Sequence, residues 1–542
     1  MVHINDLHRD VLAQILYKAV AAPAKNLSEW KVKLPLLGVC RKWTELALSF
    51  VFYQVFVELP ELPGPSLDAH FLWTSNAELL ISRRCVLRAL RLTIQLPYDV
   101  TPDHIRIIAL EILKLDRVDW QHVNSLAFTF ATWTFYLSAK PVSQDDKTAT
   151  DVARTAQYFA QNLRNIAELD FCSLSITSAG KFIFSNIATF YGGRLQILRS
   201  QGFILLPITC IPRNIRVLEL TLDSSAVRVL PSICGETLKV LKLDEIPRNF
   251  AWHHFRYDIF DLPIVFHQLT VLHFTFKEEY MSLTEAEIDY KVASGAHCCD
   301  QLCFPALREL SIENCTPDCD LLYADIPFPK LKKVHLSGSI NCIRHCSRLR
   351  FNWVRNLSVV ILSVDSGDTA EIYRVTNHFF ADIRIGRAAS LRVTYGWFDL
   401  DPDEMRWTNI TILEVDQADY TTVCKAISRL PNLCELTISS LEFGNLVSSG
   451  STEDSALFIS ADPMLAWGER LAILIICNFD ENCPLSLCID GIQALLLHAG
   501  ALEKLIVPES VHRLVVGFVD MYKDRYSHLA NIQLLIDETN MY

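Results

Sequence analysis

Seven cysteines fall between Cys298 and Cys346, in the runs HCCDQLC, CTPDC and CIRHC, with His297 and His345 among them. Thiolate and imidazole are the ligands zinc prefers, and the two C-x-x-x-C pairs could face each other to close a tetrahedral site. The spacing is not the usual C-x-x-C, and Cys315 has a structural use described below, so no metal or other cofactor is expected. FDLDPDEM gathers Asp399, Asp401, Asp403 and Glu404. Paired acids can perform general acid–base chemistry, but this cluster reads as a solvated turn. The sequence holds no Gly-rich phosphate loop, no G-x-S-x-G and no H-E-x-x-H. These residues point to binding rather than catalysis, and no enzymatic activity is expected.

Composition narrows the partners. The chain has 542 residues, half of them apolar, and a formal charge of −12. That is enough apolar surface for large cores, and the acidity argues against nucleic acid as a partner. No run reaches the roughly 18 to 20 apolar residues of a membrane helix. His3, Asp6, His8, Arg9 and Asp10 occupy the stretch where a signal peptide needs apolar residues. A cytoplasmic or nuclear protein without membrane contact is expected. Its 17 cysteines follow no disulfide framework, and Cys40, Cys172 and Cys434 read as small core hydrophobes.

The elements that position the binding residues begin with two or three short helices in the first fifty residues. Leu7, Val11, Leu12, Ile15, Leu16 and Ala19 recur at a 3.6-residue period, with Asn5 or Asp6 as a cap and Pro23 as a stop. Leu36, Leu37, Cys40, Trp43 and Ala47 repeat the helical spacing. In FYQVFVEL the period becomes two, with Tyr53, Val55, Val57 and Leu59 alternating against Gln54, Phe56 and Glu58, which predicts a strand. These helices are too few to bury a core alone, so they depend on a partner or on the neighbouring domain.

Leu7-His8, Asp10, Val11-Leu12 and Ile15-Leu16, closed by Val39-Cys40-Arg41-Lys42-Trp43 and Leu46-Ala47, resemble an F-box. His8 stands where that family has proline. The resemblance covers about fifty residues and is closest to fungal proteins that join a divergent F-box to leucine-rich repeats. It implies docking to the Skp-type adaptor of a cullin–RING ubiquitin ligase through Leu7, His8, Val11, Leu12, Ile15, Leu16, Val39, Cys40 and Trp43. Val39, Cys40 and Trp43 would insert into the adaptor groove, with Arg41 and Lys42 at its wet rim. The competing use of Trp43 is packing helix against helix within the chain.

The remainder repeats apolar-x-x-apolar-x-apolar. The template fits at Leu87, Val123, Ile166, Ile215, Leu238, Leu269, Leu307, Leu331, Leu357, Ile410, Leu433, Leu471, Leu502 and Leu529, fits partly at Leu195 and fails at Leu391. Each match is one short strand that buries its apolar face only by stacking on its neighbours. LRELSIENC ends on Asn314-Cys315, where leucine-rich repeats often close their turn. Polar or acidic breaks fall at 60–66, 139–151, 277–295 and 444–456. The expected fold is α/β: a helical F-box-like module with a first strand (1–59), then an irregular leucine-rich-repeat solenoid (60–542), a parallel β ladder with helices and loops on its convex side.

On such a ladder the residues between the apolar positions form the binding face. That assigns Glu219, Lys242, His273, Glu309, Ser311, Glu313, Lys333 and His335 to a polar stretch, where Lys242 and Lys333 could help to read a phosphate. Val359, Ile361, Ile412, Ile473, Ile475 and Ile506 follow as an aliphatic groove for a target protein. The function expected is substrate recognition within an SCF-type ubiquitin ligase; the alternative is a leucine-rich scaffold that no longer docks the adaptor.

Overall fold

A computed structural model describes residues 8, 10–14, 27–35, 43–46, 53–59, 74–96, 120–132, 157, 161–173, 187–201, 211, 213–221, 234–246, 265–276, 304–315, 328–339, 354–363, 388–397, 410–420, 423–424, 427, 430–442, 470–479, 485–498 and 500–536. Contacts divide the chain into two compact units: Met1–Pro247 with His254–Leu269, and Thr270–Tyr542 with Arg248–His253.

The first unit carries β1 (Gln54–Leu59), β2 (Thr74–Ser75), β3 (Ala89–Leu96), β4 (Ser125–Thr132), β5 (Glu168–Ser173), β6 (Ile197–Gln201), β7 (Val217–Thr221) and β8 (Val240–Ile246). β2 lies antiparallel to one edge of β1. From β1 through β3 to β8 each strand pairs in parallel with the next. The template explains why. Leu238, Leu241 and Leu243 are all fully buried, as are Ile215, Leu218 and Leu220. Burying one such side chain contributes about 2 kcal/mol, and the face it buries needs a rung on each side to cover it. One rung breaks the rule. Ser200 occupies the third apolar position beside Phe171, is 1 % exposed, and its hydroxyl has no partner.

The first strand departs from the simple alternation expected. Val55 and Val57 face the core, but Gln54 and Phe56 are buried too. Asn76, at the start of helix α2 (Ala77–Ser82), accepts a hydrogen bond from the Phe56 amide at 2.8 Å and donates to the Gln54 carbonyl at 3.0 Å. Helix α1 (Leu27–Val32) also lies against β1. β1 is therefore the first rung of the ladder, covered on both faces.

The second unit carries β9 (Val271–Phe276), β10 (Glu309–Cys315), β11 (Lys333–Ser339), β12 (Asn356–Ser363), β13 (Ala388–Trp397), β14 (Ile410–Asp419), β15 (Glu435–Glu442), β16 (Ile473–Phe479), β17 (Lys504–Val507) and β18 (Gln533–Ile536). All pair in parallel and in chain order. Two open parallel ladders built rung by rung are the arrangement of a repeat solenoid. Helices α3 (Leu485–His498) and α4 (Glu509–Tyr522) pack on each other before the last strand, and His528 Nε2 lies 3.0 Å from the Leu496 carbonyl. Asn314, next to last in β10, has φ 52°, in the left-handed region that asparagine tolerates, and the β10–β11 register shifts beside it. Asn314-Cys315 thus lies in a strand irregularity, where a closing turn was expected.

At the entry of many rungs one carbonyl serves two donors. The Arg308 carbonyl accepts from the amides of Lys332 (2.8 Å) and Lys333 (3.0 Å), and that of Lys332 accepts from Arg355 (2.8 Å) and Asn356 (3.0 Å). The same doubled acceptor recurs at Tyr53, Arg88, Asn124, Ala167, Gln196, Arg216, Thr270, Cys434 and Ala472.

Two expectations are corrected. The rung placed at Leu357 starts at Val354, so its buried residues are Val354, Leu357, Val359 and Ile361. The uncertain rung at Leu391 exists, with Ala389, Leu391 and Val393 buried and Leu391 paired with Val359 and Leu413. No helix among the described residues is long and apolar enough to cross a membrane.

Candidate binding face of the ladder

In each rung the side chains that alternate with the core residues line the other, open face of the sheet. In the first unit the residue after the second core position gives one column: Arg91 on β3, Ala127 on β4, Asp170 on β5, Arg199 on β6, Glu219 on β7 and Lys242 on β8. Ala127 is small, and Arg91 reaches past it to Asp170 at 3.5 Å. Arg199 bridges Glu168 at 2.5 Å and Glu219 at 3.4 Å, and Lys242 holds Glu219 at 3.1 Å. Opposite charges directly across strands stabilise a sheet. Burial raises the pKa of Asp170, against the pull of Arg91 and Arg199. Glu219 and Lys242 lie where the sequence placed them, but Lys242 is engaged within the chain. The partners Arg91, Asp170 and Arg199 were missed. They were readable as the residue after the second apolar position in LRALRL, IAELDF and LQILRS.

The second unit opens with histidines. His273 on β9, Ser311 on β10, His335 on β11, and Ser358 on β12 stand in one column. Glu313 Oε1 lies 3.2 Å from His273 Nε2 and accepts a long hydrogen bond from Ser311. His335 Nδ1 lies 3.1 Å from Ser358 Oγ. The closest acid contact is thus to His273 and the closest serine contact to His335. Burial lowers the pKa of His335, as does His273, while Glu313 raises it. Lys333 is paired with Glu309 at 2.8 Å.

Further along, Arg392 pairs with Glu414 at 3.1 Å across β13 and β14. The face then becomes aliphatic. Thr437, Ile475, Ile506 and Leu535 follow one another on β15 to β18, with Ile473 two residues before Ile475. Ile473, Ile475, Ile506 and Leu535 are half-buried, and Ile412 is 37 % exposed. Glu435 separates Ile412 from Ile473. The structure therefore brings Ile473, Ile475 and Ile506 together on an accessible face and adds Leu535. Val359 and Ile361 do not belong there. Both are fully buried, because the rung starts three residues earlier than expected.

Of the expected docking residues, Leu12 and Trp43 pack with Leu46 in a small core. Trp43 is 8 % exposed, and its indole N–H has no hydrogen-bond partner. Leu12, Ala13 and Leu46 lie against it among the described residues. Val11 is 44 % exposed, and His8 is exposed beside Asp10. Leu7, Ile15, Leu16, Val39 and Cys40 lie outside the described residues.

Cys434 is also corrected: it is exposed, at the position just after the first buried residue of its rung. Cys172 is half-buried, whereas Cys234 and Cys488 are fully buried. Burial pushes the thiols of Cys234 and Cys424 to about 12, which leaves them protonated and unreactive at neutral pH. The side chains of the Cys298–Cys346 cluster and of Asp399, Asp401, Asp403 and Glu404 lie outside the described residues. Among the described residues no group of His, Cys, Asp and Glu is arranged to hold a metal. No protein-family model matches the sequence, and no curated protein is significantly similar to it.

Proposed function

We propose that this chain is the substrate-recognition subunit of an SCF-type cullin–RING ubiquitin ligase. The observation that carries the reading is the order of parts. A segment resembling an F-box, closed by Val39-Cys40-Arg41-Lys42-Trp43, runs directly into a ladder of parallel rungs with an accessible face. The helices would dock a Skp-type adaptor through their exposed residues, of which Val11 and His8 are described. The aliphatic patch of Ile473, Ile475, Ile506 and Leu535 would seat a target protein, with no cofactor and no chemistry of its own. Work would be done in the cytoplasm or nucleus, where the ligase resides.

A second reading has its own support. Leu12 and Trp43 are buried against Leu46 within the chain, and His8 replaces the proline of the family pattern. Both favour a binding scaffold that no longer docks the adaptor. Co-expression of the full chain with the Skp-type adaptor of its own organism, followed by size exclusion, separates the two. Co-elution at equal stoichiometry supports the receptor. A folded chain eluting alone leaves the scaffold.

A further inference from the structure

One register position on the ladder has a use of its own: the residue just after the first buried residue of each rung, where the chain enters the strand. In the rungs of β10, β11 and β12 it is Arg308, Lys332 and Arg355, and all three are exposed. Their backbones are joined directly, the Lys332 amide donating to the Arg308 carbonyl and the Arg355 amide to the Lys332 carbonyl, each at 2.8 Å. Neighbouring strands lie about 4.8 Å apart, so three cations occupy a row of roughly 10 Å. Lys330, also exposed, adds a fourth. The adjacent acid, Glu309, is held by Lys333. None of Arg308, Lys330, Lys332 and Arg355 has an ion-pair partner among the described residues.

In the first unit the same register position carries two adjacent exposed cations, Arg216 and Lys239, rather than three. The chain as a whole carries −12, and the first unit neutralises its own cations along the Arg91–Lys242 column. Like charges on neighbouring strands repel, and an anion laid across them relieves that repulsion. We propose that Arg308, Lys332 and Arg355 form a docking row for a peptide segment rich in Asp and Glu. Same-face side chains of an extended peptide recur every ~6.6 Å, and flexible Arg and Lys side chains span the difference from the rung spacing. Each guanidinium can hold a carboxylate through two parallel hydrogen bonds. A nucleic acid fits less well, because its long polyanion would meet the acidic remainder of the chain.

The row belongs to the ladder alone, so its test is independent of adaptor co-elution. The full chain is titrated into a short fluorescein-labelled peptide of alternating Glu and Ser, with anisotropy as the readout. Saturable binding that weakens several-fold as salt is raised is expected. R308Q/K332Q/R355Q should weaken it about tenfold, and R355Q alone about two- to threefold. Arg392→Gln, off the row and paired with Glu414, should leave it unchanged. Thermal melts establish that each variant is folded; if the triple variant is not, R355Q alone decides. The proposal is overturned if wild type does not bind the peptide, or if the folded variants of Arg308, Lys332 and Arg355 bind as well as wild type. A single-stranded RNA of equal charge binding more tightly than the peptide would reassign the row to nucleic acid.

Discussion

Asn76 holds Phe56 by the main chain: its carboxamide oxygen accepts from the Phe56 amide at 2.8 Å while its nitrogen donates to the Gln54 carbonyl two residues back. The side chain is itself buried, so it does for β1 what another strand would do. Asn76→Ala strands a buried amide and a buried carbonyl and is expected to cost about 2 to 3 kcal/mol. Urea unfolding checks this, the midpoint falling with the slope unchanged. Asn76→Asp keeps the acceptor but loses the donor and should also be destabilising.

Ser200 gives the opposite sign. Its hydroxyl is buried among apolar rungs without a partner. Ser200→Ala removes a desolvated polar group at little loss of volume and should stabilise by about 1 kcal/mol. A lower melting temperature would mean that the hydroxyl is satisfied by water.

Arg84 follows helix α2 with φ 54°, and its amide donates to Ile81 while that of Cys85 reaches back to Leu80. This is a helix C-terminus that normally ends on glycine. Arg84→Gly is expected to stabilise by about 1 kcal/mol, since a side chain in the left-handed region costs that much. Paired chemical-denaturation curves measure it.

Two aliphatic residues that look alike in sequence should behave differently. Ile361→Ala opens a hole in a fully buried rung and should cost about 2 to 5 kcal/mol. Ile475→Ser, on the open face, should cost less than about 1 kcal/mol. Equal losses would place Ile475 in the core.

His335 makes stability depend on pH. Burial lowers its pKa in the folded state, so the unfolded chain binds the proton more readily. Stability is full above the unfolded pKa of about 6.5 and is lost as pH falls below it. Urea midpoints at neutral and mildly acidic pH should show this loss, reduced in His335→Gln.

Much of the ladder was legible because the three apolar positions of a rung are a physical necessity. Leu238, Leu241 and Leu243 could hardly be read otherwise. Misreading came where another triplet imitated the rung: Leu357, Val360 and Leu362 fit the template as well as Val354, Leu357 and Val359. β13 was obscured because Ala389 offers too little apolar bulk to mark its position. The binding face was harder. Pairs such as Arg91 and Asp170 are set by which rungs stack, and stacked rungs lie 20 residues apart at Leu198 and Leu218 but 43 apart at Leu126 and Leu169. Trp43 could not be assigned by composition, since an aromatic on a short helix serves an internal core and a foreign pocket equally well.

The doubled carbonyl acceptors carry a further consequence. Lys332 and Lys333 are fastened to Arg308 through main-chain atoms alone, whatever the connecting segment contains. Lengthening a flexible connection costs only about 0.6 kcal/mol per doubling. Lengthening a connection between two rungs is therefore expected to leave their register to the paired main-chain atoms and to cost little stability.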